Sequence, residues 1–364
     1  MSNTTMKLPF TAHVLRGKGA LNDFLPAVAT RGQRLFIIGG ERALSSFMPK
    51  FDLCLAQHSE HNFVVEQHWH GGEVSQTNID QLTAKARDFK ADVIIGVGGG
   101  KAIDMGKAVA ESVGCPAATI PTIAATCAAN SSVSVVYHDN GHYDYIYMLS
   151  NAPEFVVLDS ELIADAPVRW LSAGLGDTLA KLYEFRAIAS KAPDCSLNMS
   201  AFSNGKLCYD VIAKYGEEAV AEVNRKEAGF ALEQVMDAIF IFAALTSTMG
   251  VGDHVAAAHA IYDGFTVIDK TRHFGHGLLV GFGNLCLLSL EERSDEEIIE
   301  EIKLAKKCGV PVTLSEIADL TEEELTQVCA AAVATSDMDN MPMSVSTEQT
   351  IAAMHHVSKL AASL

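Results

Sequence analysis

The stretch Ile94–Lys107 reads I-I-G-V-G-G-G-K-A-I-D-M-G-K and constrains the fold more than any other part of the chain. The apolar run Val93-Ile94-Ile95 predicts a buried strand that stops at Gly96. Three glycines follow at Gly98, Gly99 and Gly100, and then a helical pattern begins. That pattern has Ile103 and Ala110 on one face, with Asp104 and Lys107 beside it. Strand, glycine turn and helix in succession present free backbone N–H groups to a phosphate, and the helix N-terminus adds partial positive charge. Glycine serves there because a Cβ would hold the phosphate off the backbone. The pattern is neither a Walker loop, since G-K-[ST] is absent, nor a clean G-x-G-x-x-G. A plain tight turn is the competing reading.

The first 160 residues alternate short apolar runs with helical patterns. Arg34–Ile38 ends at Gly39-Gly40; Phe63–Val65, a helix over Asn78–Phe89, Asp92–Gly96, a helix to Val113, and Ala117–Pro121 follow. Glu154–Asp159 reads as the last strand. Such alternation implies a Rossmann-like parallel sheet covered by helices on both faces. Beyond Asp159 the texture changes to long, alanine-rich helical patterns over Pro167–Ser190, Leu197–Tyr215, Lys226–Thr248 and Val255–Phe265. Ser294–Glu297 and Thr321–Glu324 are capping-box patterns that start further helices. The expected organisation is an α/β domain over 1–160 and an all-α domain over 161–364, with the cleft between them as the default ligand site.

At 364 residues the chain suits two domains, and its net charge of −18 argues against nucleic acid or an anionic membrane as partner. Any anionic cofactor must therefore be held by local donors. Eight scattered cysteines without a C-x-x-C pattern predict reduced thiols in a reducing compartment. Met1–Leu8 is polar and lacks the apolar core of a secretory signal. The uncharged stretches Ser112–Tyr137 and Phe274–Leu290 carry too many hydroxyls, prolines and glycines to face lipid. A cytoplasmic protein is expected.

Three positions in the helical half stand out. Gly174–Lys181 places Asp177 at what reads as a helix start after a glycine-rich turn; His259 lies in an alanine run; His276 lies between glycines. Alanine and glycine clear space for a ligand or for another helix. One carboxylate and two imidazoles make a three-ligand site with an open fourth position, as in catalytic zinc centres. The spacing fits no local metal signature, so packed core histidines are the competing reading. His68 and His70, which flank Trp69, read as a solvated strand edge.

Five blocks occur in order: Gly96–Lys107, P-T-I-A-A-T-C-A-A-N-S-S-V-S-V-V-Y (Pro121–Tyr137), A-G-L-G-D-T-L-A-K (Ala173–Lys181), A-A-A-H-A-I-Y-D-G (Ala256–Gly264) and H-G-L-L-V-G-F-G (His276–Gly283). Together they resemble the glycerol-dehydrogenase-like branch of the iron-containing alcohol dehydrogenase superfamily, over nearly the whole chain. The resemblance implies the two-domain fold above and a metal-dependent nicotinamide dehydrogenase, with a homo-oligomeric assembly expected. It implies metal ligands at Asp177, His259 and His276 and a pyrophosphate loop at Gly98, Gly99, Gly100 and Lys101. A second cofactor segment falls on Thr122–Ala125, with Ser131, Val133 and Tyr137 along the nicotinamide.

Two departures from the family pattern carry information. Iron-dependent members have a histidine one turn after the aspartate, where this chain has Lys181. The remaining three-ligand set is similar to that of the zinc-dependent glycerol dehydrogenases and favours zinc over iron. Glycerol dehydrogenases also carry an aspartate where this chain has Cys127. A thiol is a poor acceptor, so a polyol loses a charge-assisted hydrogen bond of ~1.5–3 kcal/mol. The variant looks more like the sub-branch that reduces 2-oxo acids to 2-hydroxy acids. The expected substrate is thus a small alcohol, hydroxy acid or oxo acid, with glycerol as the alternative. After the Arg34–Ile38 strand, Glu41 favours NAD by bonding a ribose 2′-hydroxyl, while Arg42 keeps NADP open. A lyase of the dehydroquinate-synthase type needs a cluster of lysines and arginines, and Ser112–Tyr137 has none. A non-catalytic nicotinamide-binding protein would not need the ligand set.

Overall fold

The computed structural model describes residues 7–364, so most of the polar N-terminal stretch Met1–Leu8 lies outside the described residues. The chain forms two compact units. One runs to Ala166 and includes Arg225–Gly229; the other comprises Pro167–Asn224 and Phe230–Leu364. The first extends beyond the expected boundary at 160 because Asp159 ties the next helix to it. One Asp159 oxygen accepts from the Glu161 N–H that opens α5 (Ser160–Ala164), and the other accepts from the Leu21 N–H.

The first unit holds eight strands among the described residues: β1 (His13–Gly17), β2 (Arg34–Gly39), β3 (Val64–Trp69), β4 (Val93–Gly98), β5 (Ala117–Pro121), β6 (Val133–Tyr137), β7 (Tyr143–Met148) and β8 (Phe155–Asp159). Its other helices are α1 (Ala20–Val28), α2 (Glu41–Gln57), α3 (Gln76–Phe89) and α4 (Gly100–Val113). Six strands form a sheet in the order β1-β8-β5-β4-β2-β3, every pair parallel; β6 and β7 form a separate antiparallel hairpin. Alternation along β2 and β4 sends Leu35, Ile37, Val93 and Ile95 into one core with Phe24, Phe47 and Phe51. Phe36, Ile38 and Ile94 enter the other with Ile79, Met105 and Val109. Strands buried on both faces are near-continuous apolar runs, which is how the sequence displays them.

Two expectations are corrected here. Strand β4 does not stop at Gly96 but continues to Gly98. Gly96 is a packing glycine: a Cβ on Gly106 would lie 2.6 Å from its Cα, so α4 rests directly on the strand. The Arg34 strand is also not the first. Strand β1, H-V-L-R-G, lacks an apolar run and exists through its pairing with β8.

The second unit is helical: α6 (Arg169–Ile188), α7 (Ser196–Asn224), α8 (Phe230–Met236), α9 (Ala243–Met249), α10 (Ala257–Phe265), α11 (His276–Leu290), α12 (Asp295–Lys307), α13 (Leu314–Ile317), α14 (Glu322–Val333) and α15 (Thr347–Ala362). A π-helical segment, Asp237–Phe242, joins α8 to α9. Phe230–Met249 is long and apolar enough to cross a bilayer by length and composition, but over half of its apolar window is buried in the protein. Ser294 caps α12 by accepting from Glu297 N–H, and Thr321 with Glu324 forms a reciprocal capping box on α14. The glycine-rich segment before Asp177 is not a turn, contrary to expectation. Gly174 and Gly176 lie inside α6, and a Cβ on Gly176 would sit 2.4 Å from the Gly277 carbonyl of α11. A Cβ on Gly283 would likewise sit 2.5 Å from the Ala258 carbonyl of α10. These glycines are where the helices touch backbone to backbone. Helix α10 begins at Ala257, two residues later than its apolar pattern, and α7 continues to Asn224.

Candidate active site

The helix crossings gather Asp177 from α6, His259 from α10 and His276 from the first position of α11. Asp177 Oδ1 is 3.6 Å from His259 Nε2 and 3.6 Å from His276 Nε2, and all three ligand atoms lie within 4.8 Å of one another. Ligand atoms on a tetrahedral zinc stand about 3.3 Å apart, so small side-chain movements close the set around an ion. Asp177 Oδ1 is buried and has no hydrogen-bond partner. A buried orphan carboxylate oxygen is costly, and the two imidazoles at 3.6 Å are too far to hydrogen-bond it. A divalent cation satisfies all three groups at once.

The electrostatics agree. Burial pushes the Asp177 carboxyl up, but the Lys181 ammonium and the two imidazoles outweigh it and hold the group well below the usual carboxylate range. Burial would lower His259, yet Glu184 and Asp177 raise it to about 9. The carboxylates of Glu184 and Asp177 thus favour positive charge at the His259 ring.

Glu184 is the functional residue that reading the sequence missed. It is fully buried; Oε2 accepts from His259 Nδ1 at 2.7 Å, and Oε1 accepts from the backbone N–H of Ala256 and His259. This bond fixes the His259 tautomer and turns Nε2 toward Asp177, the carboxylate–histidine arrangement that orients metal ligands. Its signal was present in the seven-residue spacing after Asp177, which puts both carboxylates on one helical face. Tyr262 packs edge-on against His276, with ring centroids 4.2 Å apart. Lys181, one turn after Asp177, is buried. A second cluster, His58, Glu60 and His61, is solvent-accessible.

In the first unit the chain goes from β2 outward to β3 and returns across β2 to β4. The carboxyl ends of β2 and β4 therefore form the switch point at which doubly wound sheets bind ligands. The glycine turn lies there. Gly98 has φ +140°, Gly99 is the N-cap of α4, and a Cβ on Gly99 would sit 2.7 Å from the Ile123 side chain. The first N–H groups of α4, on Gly100, Lys101 and Ala102, have no acceptor within the helix by its geometry. Lys101 Nζ donates to Glu73 Oε1 at 2.6 Å and lies 5.7 Å from the Tyr137 ring centre. Thr122 N–H donates to the Gly98 carbonyl, which fastens the Thr122–Ala125 segment to the turn. Glu41 and Arg42 open α2 and are exposed.

Ser131 and Val133 are held from within. Lys107, almost fully buried, pairs with Asp104 at 2.8 Å and donates to Ser131 Oγ at 3.0 Å and to the carbonyls of Ala128 and Val133. The buried ion pair thus clamps the loop that carries Cys127, which opens the short 3-10 helix Cys127–Asn130 and is part-buried. All eight cysteines are free thiols.

The comparisons with known proteins fit these observations. The model of the iron-containing alcohol dehydrogenase family matches residues 11–160. A glycerol dehydrogenase of Pseudomonas putida is 38% identical over 295 residues, 78% of this chain and 79% of the relative. Hydroxycarboxylate dehydrogenase A of Escherichia coli is 35% identical over 251 residues, 68% of each chain. The crystal structure of glycerol dehydrogenase from Schizosaccharomyces pombe superposes with a TM-score of 0.88 at 27% identity, covering 99% of this chain and 92% of the other. The class is thereby defined: an oxidoreductase that moves hydride between NAD(P) and a small hydroxylated substrate, with a metal as part of its machinery. The chain belongs to the iron-containing alcohol dehydrogenase family, in its glycerol-dehydrogenase-like branch.

Proposed function

We propose that this dehydrogenase interconverts small 2-hydroxy acids and 2-oxo acids, with Asp177, His259 and His276 as ligands of a catalytic zinc. The observation that carries the metal assignment is the buried Asp177 oxygen, unpartnered and flanked by two imidazoles at 3.6 Å. A divalent ion bound there supplies Lewis-acid polarisation of the substrate oxygen. Glu184 holds the His259 ring in the ligating tautomer, and Tyr262 restrains His276. Three protein ligands with Lys181 in place of a fourth favour zinc over iron. Gly98–Lys101 bind the dinucleotide pyrophosphate, and Thr122, Ala125, Ser131, Val133 and Tyr137 line the nicotinamide half. The protein acts as a cytoplasmic homo-oligomer, a setting that matches its eight free thiols.

The substrate choice rests on Cys127, whose thiol offers a polyol no strong acceptor and spares a substrate carboxylate the repulsion of an aspartate. Glycerol is the second reading, supported by the 38% identity to a glycerol dehydrogenase. Steady-state rates with a panel of 2-oxo acids, simple aldehydes and glycerol separate the two. A kcat/KM for glycerol above that for every 2-oxo acid would reverse the order. Replacing His276 with alanine should abolish turnover and metal content while leaving the helical signal intact; turnover by that metal-free variant would sink the metal assignment.

A further inference from the structure

The two histidines that flank Trp69 part company in the structure. His68 belongs to β3, stacks on Phe36 and pairs with Glu66 at 2.6 Å. His70 lies just past the strand, at the carboxyl edge of the sheet. Its backbone N–H donates to the Gly39 carbonyl, which holds it beside the end of β2. Its ring lies over Gly40: a Cβ on Gly40 would be 3.6 Å from His70 Nε2. Gly40 is in turn the neighbour of the glycine turn, since a Cβ on Gly98 would be 3.9 Å from the Gly40 N. The turn, Gly40 and His70 thus form one track along the switch point.

In doubly wound sheets a carboxylate near this place commonly bonds the adenosine ribose and repels a 2′-phosphate. The residue at the end of β2 here is a glycine, with ordinary extended geometry (φ −77°, ψ 152°), so no backbone strain requires it. The imidazole beside it is an unusual group. His70 Nδ1 is buried with no hydrogen-bond partner. Burial first, and the Lys101 ammonium next, hold the ring below its ordinary pKa against the opposing pull of Glu73, so it is neutral at pH 7. Nδ1 faces inward, so Nε2, the edge beside Gly40, is the one that can meet a ligand.

We propose that His70 reads the adenosine ribose of the dinucleotide, donating from Nε2 to the 2′ oxygen across the open Gly40, so that the site accepts the 2′-phosphorylated cofactor as well as the unphosphorylated one. This rests on the dinucleotide reading of the glycine turn and adds to it the residue that sets cofactor choice. It displaces Glu41, which is exposed at the start of α2, from that role.

The test is equilibrium binding, by quenching of intrinsic fluorescence and energy transfer to the reduced nicotinamide, with NADH and NADPH as probes. The wild-type protein should bind both with dissociation constants within about tenfold of each other. Gly40→Asp places a carboxylate beside the 2′ position and also suits the N-cap of α2. It should weaken NADPH by at least about tenfold, the size of one charge-assisted interaction, and leave NADH within about threefold. His70→Ala and His70→Gln should both be folded by circular dichroism; alanine should weaken NADPH more than NADH, and glutamine, which still donates, should recover part of the loss. His68→Ala should change neither. Binding of NADH alone by the wild type, or NADPH affinity unmoved in His70→Ala, would overturn the assignment of His70 while leaving the dinucleotide site standing. Failure of the wild type to bind either probe would instead overturn the dinucleotide reading itself.

Discussion

The contact between α6 and α11 sets the metal-ligand geometry, and Gly277→Ala tests it. A Cβ on Gly277 would lie 2.0 Å from the Ala173 carbonyl oxygen, which is backbone and cannot rotate away. Ordinary contact needs about 3.4 Å, so the helices must part locally by about 1.4 Å. Asp177 Oδ1 and His276 Nε2 are 3.6 Å apart across this crossing. Transmitted in full, the displacement separates them to about 5 Å, whereas two ligands bonded at 2.0–2.2 Å reach at most about 4.3 Å even in line. One ligand is therefore lost, and metal affinity should fall by at least about 100-fold, beyond the effect of most outer-shell changes. Overpacking should also cost about 1–3 kcal/mol, lowering the melting temperature by several degrees. The assay is zinc titration of the metal-free protein against a competing chelator, with circular dichroism to confirm the fold. Gly205→Ala is the control, because a Cβ there meets its nearest atom, the Lys181 carbonyl, at 3.4 Å. Its zinc affinity should stay within about twofold. Zinc affinity within about threefold of wild type in Gly277→Ala would refute the idea that this crossing sets the ligand spacing.

Other outcomes follow from the same structure. Glu184→Gln should lower zinc affinity by about 10–100-fold by loosening the His259 ring; unchanged affinity would mean that packing alone aims the imidazole. Lys107→Met leaves Asp104 buried without its partner, and urea unfolding should show a loss of about 3–5 kcal/mol, with a loss under 1 kcal/mol counting against the clamp on the Cys127 loop. Chelation of the metal should lower the melting temperature in proportion to ligand linkage, about 2.7 kcal/mol at a hundredfold excess over Kd, and should abolish turnover while NADH still binds; full activity after chelation would exclude the metal from the reaction. Cys127→Asp should shift kcat/KM toward glycerol and away from 2-oxo acids by about tenfold each way, and no shift in either ratio would remove Cys127 from substrate selection.

The α/β half was legible because its signals are local. Residues 93–95, 35–38 and 155–158 are apolar runs that have to be buried on both faces of a sheet, and Gly98–Gly100 mark a turn, with Gly98 at a φ of +140°. The same locality misled at Gly96 and Gly176. Each looks like punctuation in a one-dimensional reading, yet each is a contact surface, against α4 in one case and α11 in the other. Strand β1 was invisible for the complementary reason: its pairing partner β8 lies far along the chain. Charge placement was legible only in part. Asp177 could be picked out, but Glu184 gained meaning only once α10 brought His259 to it.

By itself, then, the sequence determined the class of fold, the phosphate-ready turn and the identity of the candidate ligands, because glycine spacing and apolar periodicity act over a few residues. Tertiary structure decided which groups meet. Asp177, His259 and His276 become a site only where glycines let three helices touch, and Gly40 and His70 become neighbours only at the switch point of the sheet. Contacts of that kind depend on how backbones cross, and no local pattern encodes the crossing.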